Sequence, residues 1–166
     1  LFTSLPERRK MTVKSKIYEK IGEQVYFETL ENGLQIFVIK KPDFSKSLAF
    51  FATKYGGADR RFRLGGQWTD TPAGVAHFLE HKMFDMPDGS NVFDSFSRYG
   101  ANANAFTSFN MTAYLFSSTS NFCDNLKILM DYVQKPYFTK ESVQKEQGII
   151  GQEIRMYDDN AGWRVF

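Results

Sequence analysis

Cysteine and histidine are nearly missing from this sequence: 166 residues carry one cysteine, Cys123, and two histidines. A lone cysteine excludes an intrachain disulfide and any multi-cysteine metal site. No sign of charge dominates. Twenty-one Lys and Arg against 19 Asp and Glu leave a net charge of +2, which gives little support to a dedicated nucleic-acid binder. Long apolar runs are absent too, none approaching the roughly 18–20 residues that span a bilayer. The first residues, Leu1-Phe2-Thr3-Ser4-Leu5-Pro6-Glu7, lack the basic stretch and apolar core of a secretory signal. Together these gaps point to a cytoplasmic protein without a membrane span. No internal repeat stands out.

What is present is ordinary globular material, 42% hydrophobic and 24% charged, with 17 Phe. A chain of this size buries roughly two-thirds of its unfolded surface and needs no disulfide framework. It begins at Leu1 and stops at the apolar Trp163-Arg164-Val165-Phe166. Natural termini are usually polar, so a piece of a longer protein is expected.

Lys10 to Lys20 reads as a solvated basic face, and residues 1–19 as an N-terminal extension to a domain over 20–166. Glu23–Leu30 and Leu34–Lys40 alternate with period two, as strands do, and Asn32-Gly33 between them is a hairpin signal. Leu48–Lys54 reads as a third strand. Tyr55 to Asp70 reads as a loop, in which Arg60, Arg61 and Arg63 surround Phe62. So short a basic–aromatic cluster is weak support for nucleic-acid binding. Thr71-Pro72 suits the start of a helix reaching about Met83. Asn91–Arg98 is a second helix, Asn104–Ser108 and Thr112–Ser118 are strands, and Asn121–Gln134 is a helix stopped by Pro136. The apolar stripe of that helix is Phe122, Leu126, Leu129, Met130 and Val133. A long helix then runs from Thr139 or Lys140 to about Tyr157. Grouped strands and helices predict an α+β fold, a mostly antiparallel sheet with helices on one face.

Both histidines lie in His77-Phe78-Leu79-Glu80-His81. At about 100° per residue, His81 falls about 40° from His77 and Glu80 about 60° to the other side. All three project from one helix face within a turn. Two imidazoles at this spacing can hold one metal ion, and the adjacent carboxylate can take a proton from water acidified by the metal. This is the inverted zinc motif. A catalytic zinc usually has three protein ligands. With no third histidine, the third must be a carboxylate. In the last helix Val143, Ile150, Ile154 and Tyr157 form an apolar stripe, and Glu146 and Glu153 fall at its edge, about 60° and 80° from Val143. Spacing alone leaves both open as the third ligand.

His77-Phe78-Leu79-Glu80-His81 followed by Glu146 and Glu153 resembles the pitrilysin family of zinc metallopeptidases, which includes insulin-degrading enzyme and the mitochondrial processing peptidases. Other stretches agree. Glu31-Asn32-Gly33-Leu34 resembles the hairpin that opens the family's first domain. Ser97 to Thr107, with Asn104-Ala105-Phe106-Thr107, resembles its substrate-side edge strand. Gly74 to Lys82 and Gly148 to Ile154 are similar to a bacterial, processing-protease-like branch. The resemblance spans roughly residues 20–164. It implies a processing-peptidase-like (LuxS-like) metallohydrolase domain, incomplete here, with one zinc. His77, His81 and Glu153 would be its ligands, Glu80 the general base and Glu146 a carboxylate steadying the site. The interval from His81 to Glu153 is a little shorter than usual for the family, as a shorter loop would make it.

The activity implied is endopeptidase cleavage of an extended peptide, held by strand addition on Asn104, Ala105 and Phe106. Family members have two homologous halves that close into a chamber. The resemblance therefore implies a missing C-terminal half or a homologous partner subunit, and weak or no activity for this chain alone. The alternative is a non-catalytic peptide-binding subunit that keeps its metal site. An intact Glu80 argues against it, because a structural metal needs no base. Tyr114 is expected either near the site or in the core.

Overall fold

The computed structural model describes residues 13–158 and 160–164. These fall into two compact units divided between Ser45 and Lys46. The division lies well beyond the expected boundary at residue 20. The first unit is an antiparallel meander of β1 (Lys14–Tyr18), β2 (Glu23–Thr29) and β3 (Gln35–Ile39), in the order β1-β2-β3. A single 3-10 turn, Glu19–Ile21, joins the first two strands. Of the expected extension, residues 1–12 lie outside the described residues. The part that is described is a strand paired with β2, from Lys14 opposite Phe27 to Tyr18 opposite Glu23, and all five of its residues are exposed. The predicted hairpin forms at Asn32-Gly33. The Leu30 and Gly33 N–H groups close the turn, and Asn32 Oδ1 accepts from Leu34 N at 3.1 Å.

The second unit is built on a sheet in the order β4-β8-β7, where β4 is Ser47–Thr53, β7 Ala101–Thr107 and β8 Thr112–Ser118. Both pairings are antiparallel, so the α+β architecture with antiparallel sheets is as expected. β8 is the central strand. Its sequence, Thr-Ala-Tyr-Leu-Phe-Ser-Ser, has no Gly or Pro and suits burial between two neighbours. In register, Phe51, Tyr114 and Ala105 form one cross-strand row and Ala49, Phe116 and Ala103 another. This is the face the helices cover. There Tyr114 and Phe116 join Phe84, Val92, Phe96, Leu129 and Tyr132 in the buried core. Ala101, Ala103 and Ala105 leave room for α1 (Val75–Lys82) and α2 (Val92–Arg98) to approach β7 closely.

Four local readings change. Tyr55 to Asp70 contains a hairpin, β5 (Arg61–Leu64) and β6 (Gln67–Asp70), turned by Gly65-Gly66 with φ of 56° and 86°. Two successive left-handed residues make the turn that suits a two-residue hairpin, and glycine adopts it without strain. The arginines there have local partners. Arg61 lies over the Trp68 ring and 3.6 Å from Asp70, and Arg63 Nε donates to Gly66 O.

The second change is at α1, which starts at Val75 rather than Thr71. The Thr71 N–H and hydroxyl both donate to Arg60 O, tying down the hairpin instead of capping the helix. The third is the inward stripe of α3 (Phe122–Tyr132), which is Asn125, Leu129 and Tyr132. Phe122 and Leu126 are exposed. Asn125 faces inward because its Nδ2 donates to Tyr99 O and Asn121 O, joining α3 to the end of α2. The fourth is α4 (Lys140–Asp158), opened by reciprocal bonds between Thr139 and Ser142. It packs on the much shorter α1, so Ile154 and Tyr157 of its apolar stripe stay exposed. A further short helix, α5 (Ala161–Arg164), follows.

The turn between β7 and β8 is held from the side. Gly57 N donates to Ser108 O and Ala58 N to Phe109 O. A Cβ on Gly56 would sit 2.5–2.6 Å from Ser108 O, Asn110 N and Met111 N. All three are backbone atoms that cannot step aside. Gly56→Ala is therefore expected to destabilise the fold by about 3 kcal/mol, measured by denaturant unfolding.

Candidate metal centre

Helix α1 presents His77, Glu80 and His81 on one side, as their spacing requires. The two imidazole rings are 4.6 Å apart at 83°. Helix α4 brings up the carboxylates. His77 Nε2 lies 3.5 Å from Glu153 Oε2, and His81 Nε2 lies 3.8 Å from Glu153 Oε1. One donor atom from each of His77, His81 and Glu153 falls within 4.8 Å of the others. Donors arranged tetrahedrally around one ion, each about 2.0–2.1 Å from it, sit about 3.4 Å apart. The two imidazoles and one carboxylate thus have the chemistry and nearly the spacing of a divalent-cation site.

Distances separate the two glutamates that the helical wheel left open. Glu146 and Glu153 are seven residues apart, about 10 Å along α4, and cannot serve the same point. Glu146 reaches the opposite nitrogen of the ring, with Oε1 2.7 Å from His81 Nδ1. A carboxylate there can only accept, so Nδ1 is the donor and Nε2 is the ring nitrogen turned toward Glu153. The same bond satisfies a carboxylate that is only 8% exposed, which would otherwise be unfavourable.

Glu80 is buried as well and receives a 2.6 Å hydrogen bond from Thr107 Oγ1. Tyr114 lies in the core. Burial, and then the charge of Glu80, push its hydroxyl well above the usual phenol range.

A profile of the family described as "Insulinase (Peptidase family M16)" matches residues 65–166. The chain belongs to this family. Among its relatives, a protein named as an uncharacterized zinc protease, YmfH of Bacillus subtilis, is 55% identical over 156 residues, covering 93% of this chain and 36% of that protein. The crystal structure of an M16-like peptidase from Alicyclobacillus acidocaldarius superposes with a TM-score of 0.80 at 39% identity, over 93% of this chain and 34% of the other. A protease from Helicobacter pylori shares the fold, with a TM-score of 0.69 at 23% identity over 83% of this chain and 32% of that one. The chain therefore spans about a third of the length of these proteins. The shared fold is the one resolved above, helices packed over an antiparallel sheet.

Asn104, Ala105 and Phe106 lie on β7, an edge strand of the sheet. Asn104 and Phe106 point to the exposed side, and the Ala105 N–H is held by Asn104 Oδ1 at 2.9 Å. Two residues of this M16 chain were missed in the sequence. Thr107 was readable in principle, since alternation from Ala101 through Ala105 carries it to the helix-covered face. Lys82 was not. It is fully buried one residue after His81, bonded to Asp85 and over the Phe138 ring, where an exposed lysine is the ordinary expectation.

Proposed function

We propose that this chain is the metal-bearing N-terminal part of a zinc-dependent endopeptidase that cleaves extended peptides. The observation that carries this reading is the convergence of His77, His81 and Glu153 within 4.8 Å, beside a buried Glu80 that needs no such place in a purely structural site. Two imidazoles and a carboxylate are one of the recurring donor sets of catalytic zinc. The zinc protease name carried by the B. subtilis relative agrees with it.

His77 Nε2, His81 Nε2 and Glu153 would hold the ion, and Glu146 would orient His81 through Nδ1. Bound zinc supplies Lewis acidity, polarising a peptide carbonyl and acidifying water. Glu80 takes one proton from the attacking water as its oxygen joins the carbonyl carbon. It then delivers that proton to the amine as the C–N bond breaks, and the second water proton passes from the new carboxyl group to the amine, leaving a carboxylate and an ammonium. The substrate backbone lies along the edge strand β7 at Ala105, flanked by Asn104 and Phe106, with a substrate carbonyl taking the place of Asn104 Oδ1 on the Ala105 N–H. The remaining substrate contacts come from the rest of a longer polypeptide or from a homologous subunit.

The test is a comparison of two proteins. The full-length protein is expected to carry about one zinc per chain and to cleave an unstructured peptide in single turnover. The 166-residue chain is expected to bind zinc and to cleave weakly or not at all. Metal analysis and mass spectrometry of the products check both. Full-length protein without zinc, or with zinc and no cleavage, overturns the reading.

A further inference from the structure

We propose that Thr107 is a positioning residue that fixes the Glu80 carboxylate for proton transfer, an inference that rests on the peptidase reading above. Thr107 is the last residue of β7. Side chains alternate along a strand, so it continues the inward row of Ala101, Ala103 and Ala105. The alanines bring α1 close, and Thr107 is the one member of the row with a polar group to offer that helix. Its hydroxyl meets Glu80 Oε2 at 2.6 Å, within the range of a hydroxyl bonded to an ionised carboxylate.

The carboxylate sets the direction of this bond, because an ionised carboxylate can only accept. Thr112 Oγ1 donates its single proton to Tyr55 O at 2.9 Å. Toward Thr107 it can therefore only accept, and its oxygen is 3.4 Å away. The Thr107 proton goes to the nearer acceptor, Glu80 Oε2. Tyr55 precedes the Gly56–Ala58 segment that grips the β7–β8 turn, so both threonines rest on backbone that cannot drift. Oε2 is held as an acceptor, and Oε1 is left to receive the proton from water. A glutamate side chain has three rotatable bonds. A carboxylate free to rotate would spend much of its time misaligned, and a displacement of about 1 Å lowers rates by up to ~10²-fold.

The experiment uses the full-length protein with Thr107→Val, Thr107→Ser and Glu80→Gln. Valine keeps the shape and removes the hydroxyl. Thr107→Val is expected to lower kcat roughly tenfold to a hundredfold, with KM changed by less than about twofold and with wild-type zinc content. In crystals of Thr107→Val the Glu80 carboxylate is expected to leave its wild-type position. Thr107→Ser, which restores the hydroxyl, is expected to bring kcat back to near wild type. Unchanged kcat in Thr107→Val, failure of serine to rescue, or a Glu80 that stays in place overturns the proposal. If Thr107→Val is unaffected while Glu80→Gln is inactive, only this inference falls. If Glu80→Gln hydrolyses normally, Glu80 is not the base and this inference falls; the peptidase reading falls only if the wild-type full-length protein does not cleave.

Discussion

Glu80→Gln in the full-length protein is expected to slow peptide hydrolysis about a thousandfold, the middle of the range for losing a general base. Glutamine has the shape of glutamate, and its carbonyl oxygen can still accept the Thr107 hydroxyl that Glu80 Oε2 accepts at 2.6 Å. The packing at the junction of α1 and β7 is therefore preserved, and only the ability to take a proton is removed. Zinc content should stay at the wild-type level, because Glu80 is not among the three residues whose donor atoms converge. Single-turnover cleavage paired with metal analysis separates the outcomes. Lost hydrolysis with zinc retained identifies Glu80 as the base. Hydrolysis within tenfold of wild type assigns that work to another group.

The second large effect concerns the two glutamates of α4. Glu153→Gln is expected to weaken zinc binding about a hundredfold. Structural zinc sites with four ligands bind with ~10–16 kcal/mol, so one ligand accounts for about 3 kcal/mol, a factor of roughly a hundred. Glu146→Gln should weaken binding by only about tenfold or less, the low end for partners of a ligating histidine. The amide oxygen can still accept from His81 Nδ1 and hold the same tautomer. A chelator competition titration ranks the two. The reverse ranking would make Glu146 the ligand and overturn the assignment drawn from the 3.5 and 3.8 Å contacts of Glu153.

The histidines and Glu80 were legible because their chemistry sits inside one helical turn, where spacing alone dictates geometry. The third carboxylate was legible only as a pair. A helical wheel gives direction around an axis and says nothing of height along it, and height is what separates Glu146 from Glu153. The resemblance to a known family favoured Glu153, the residue now found facing both rings. The α+β class followed from grouped strands and helices, and the Asn32-Gly33 hairpin from its turn chemistry. Gly65-Gly66 carried the same kind of signal for β5–β6. It reads as loop because the flanking Arg61–Leu64 and Gln67–Asp70 are only four residues each. Helix α1 begins later than Thr71-Pro72 suggested because a distant carbonyl, that of Arg60, claims the threonine. No local rule anticipates such a partner. The burial of Lys82 and Asn125 likewise depends on what tertiary packing places beside them.

Strand β7 divides its work by parity. Odd-numbered positions from 101 to 107 face the helices, and the even-numbered 102, 104 and 106 face outward. Two selective pressures can thus act on seven consecutive residues without interfering. Odd sites tolerate little beyond small side chains and the one hydroxyl. Even sites carry no such packing constraint. Alternate letters of a single word can therefore be edited without disturbing the row packed behind them.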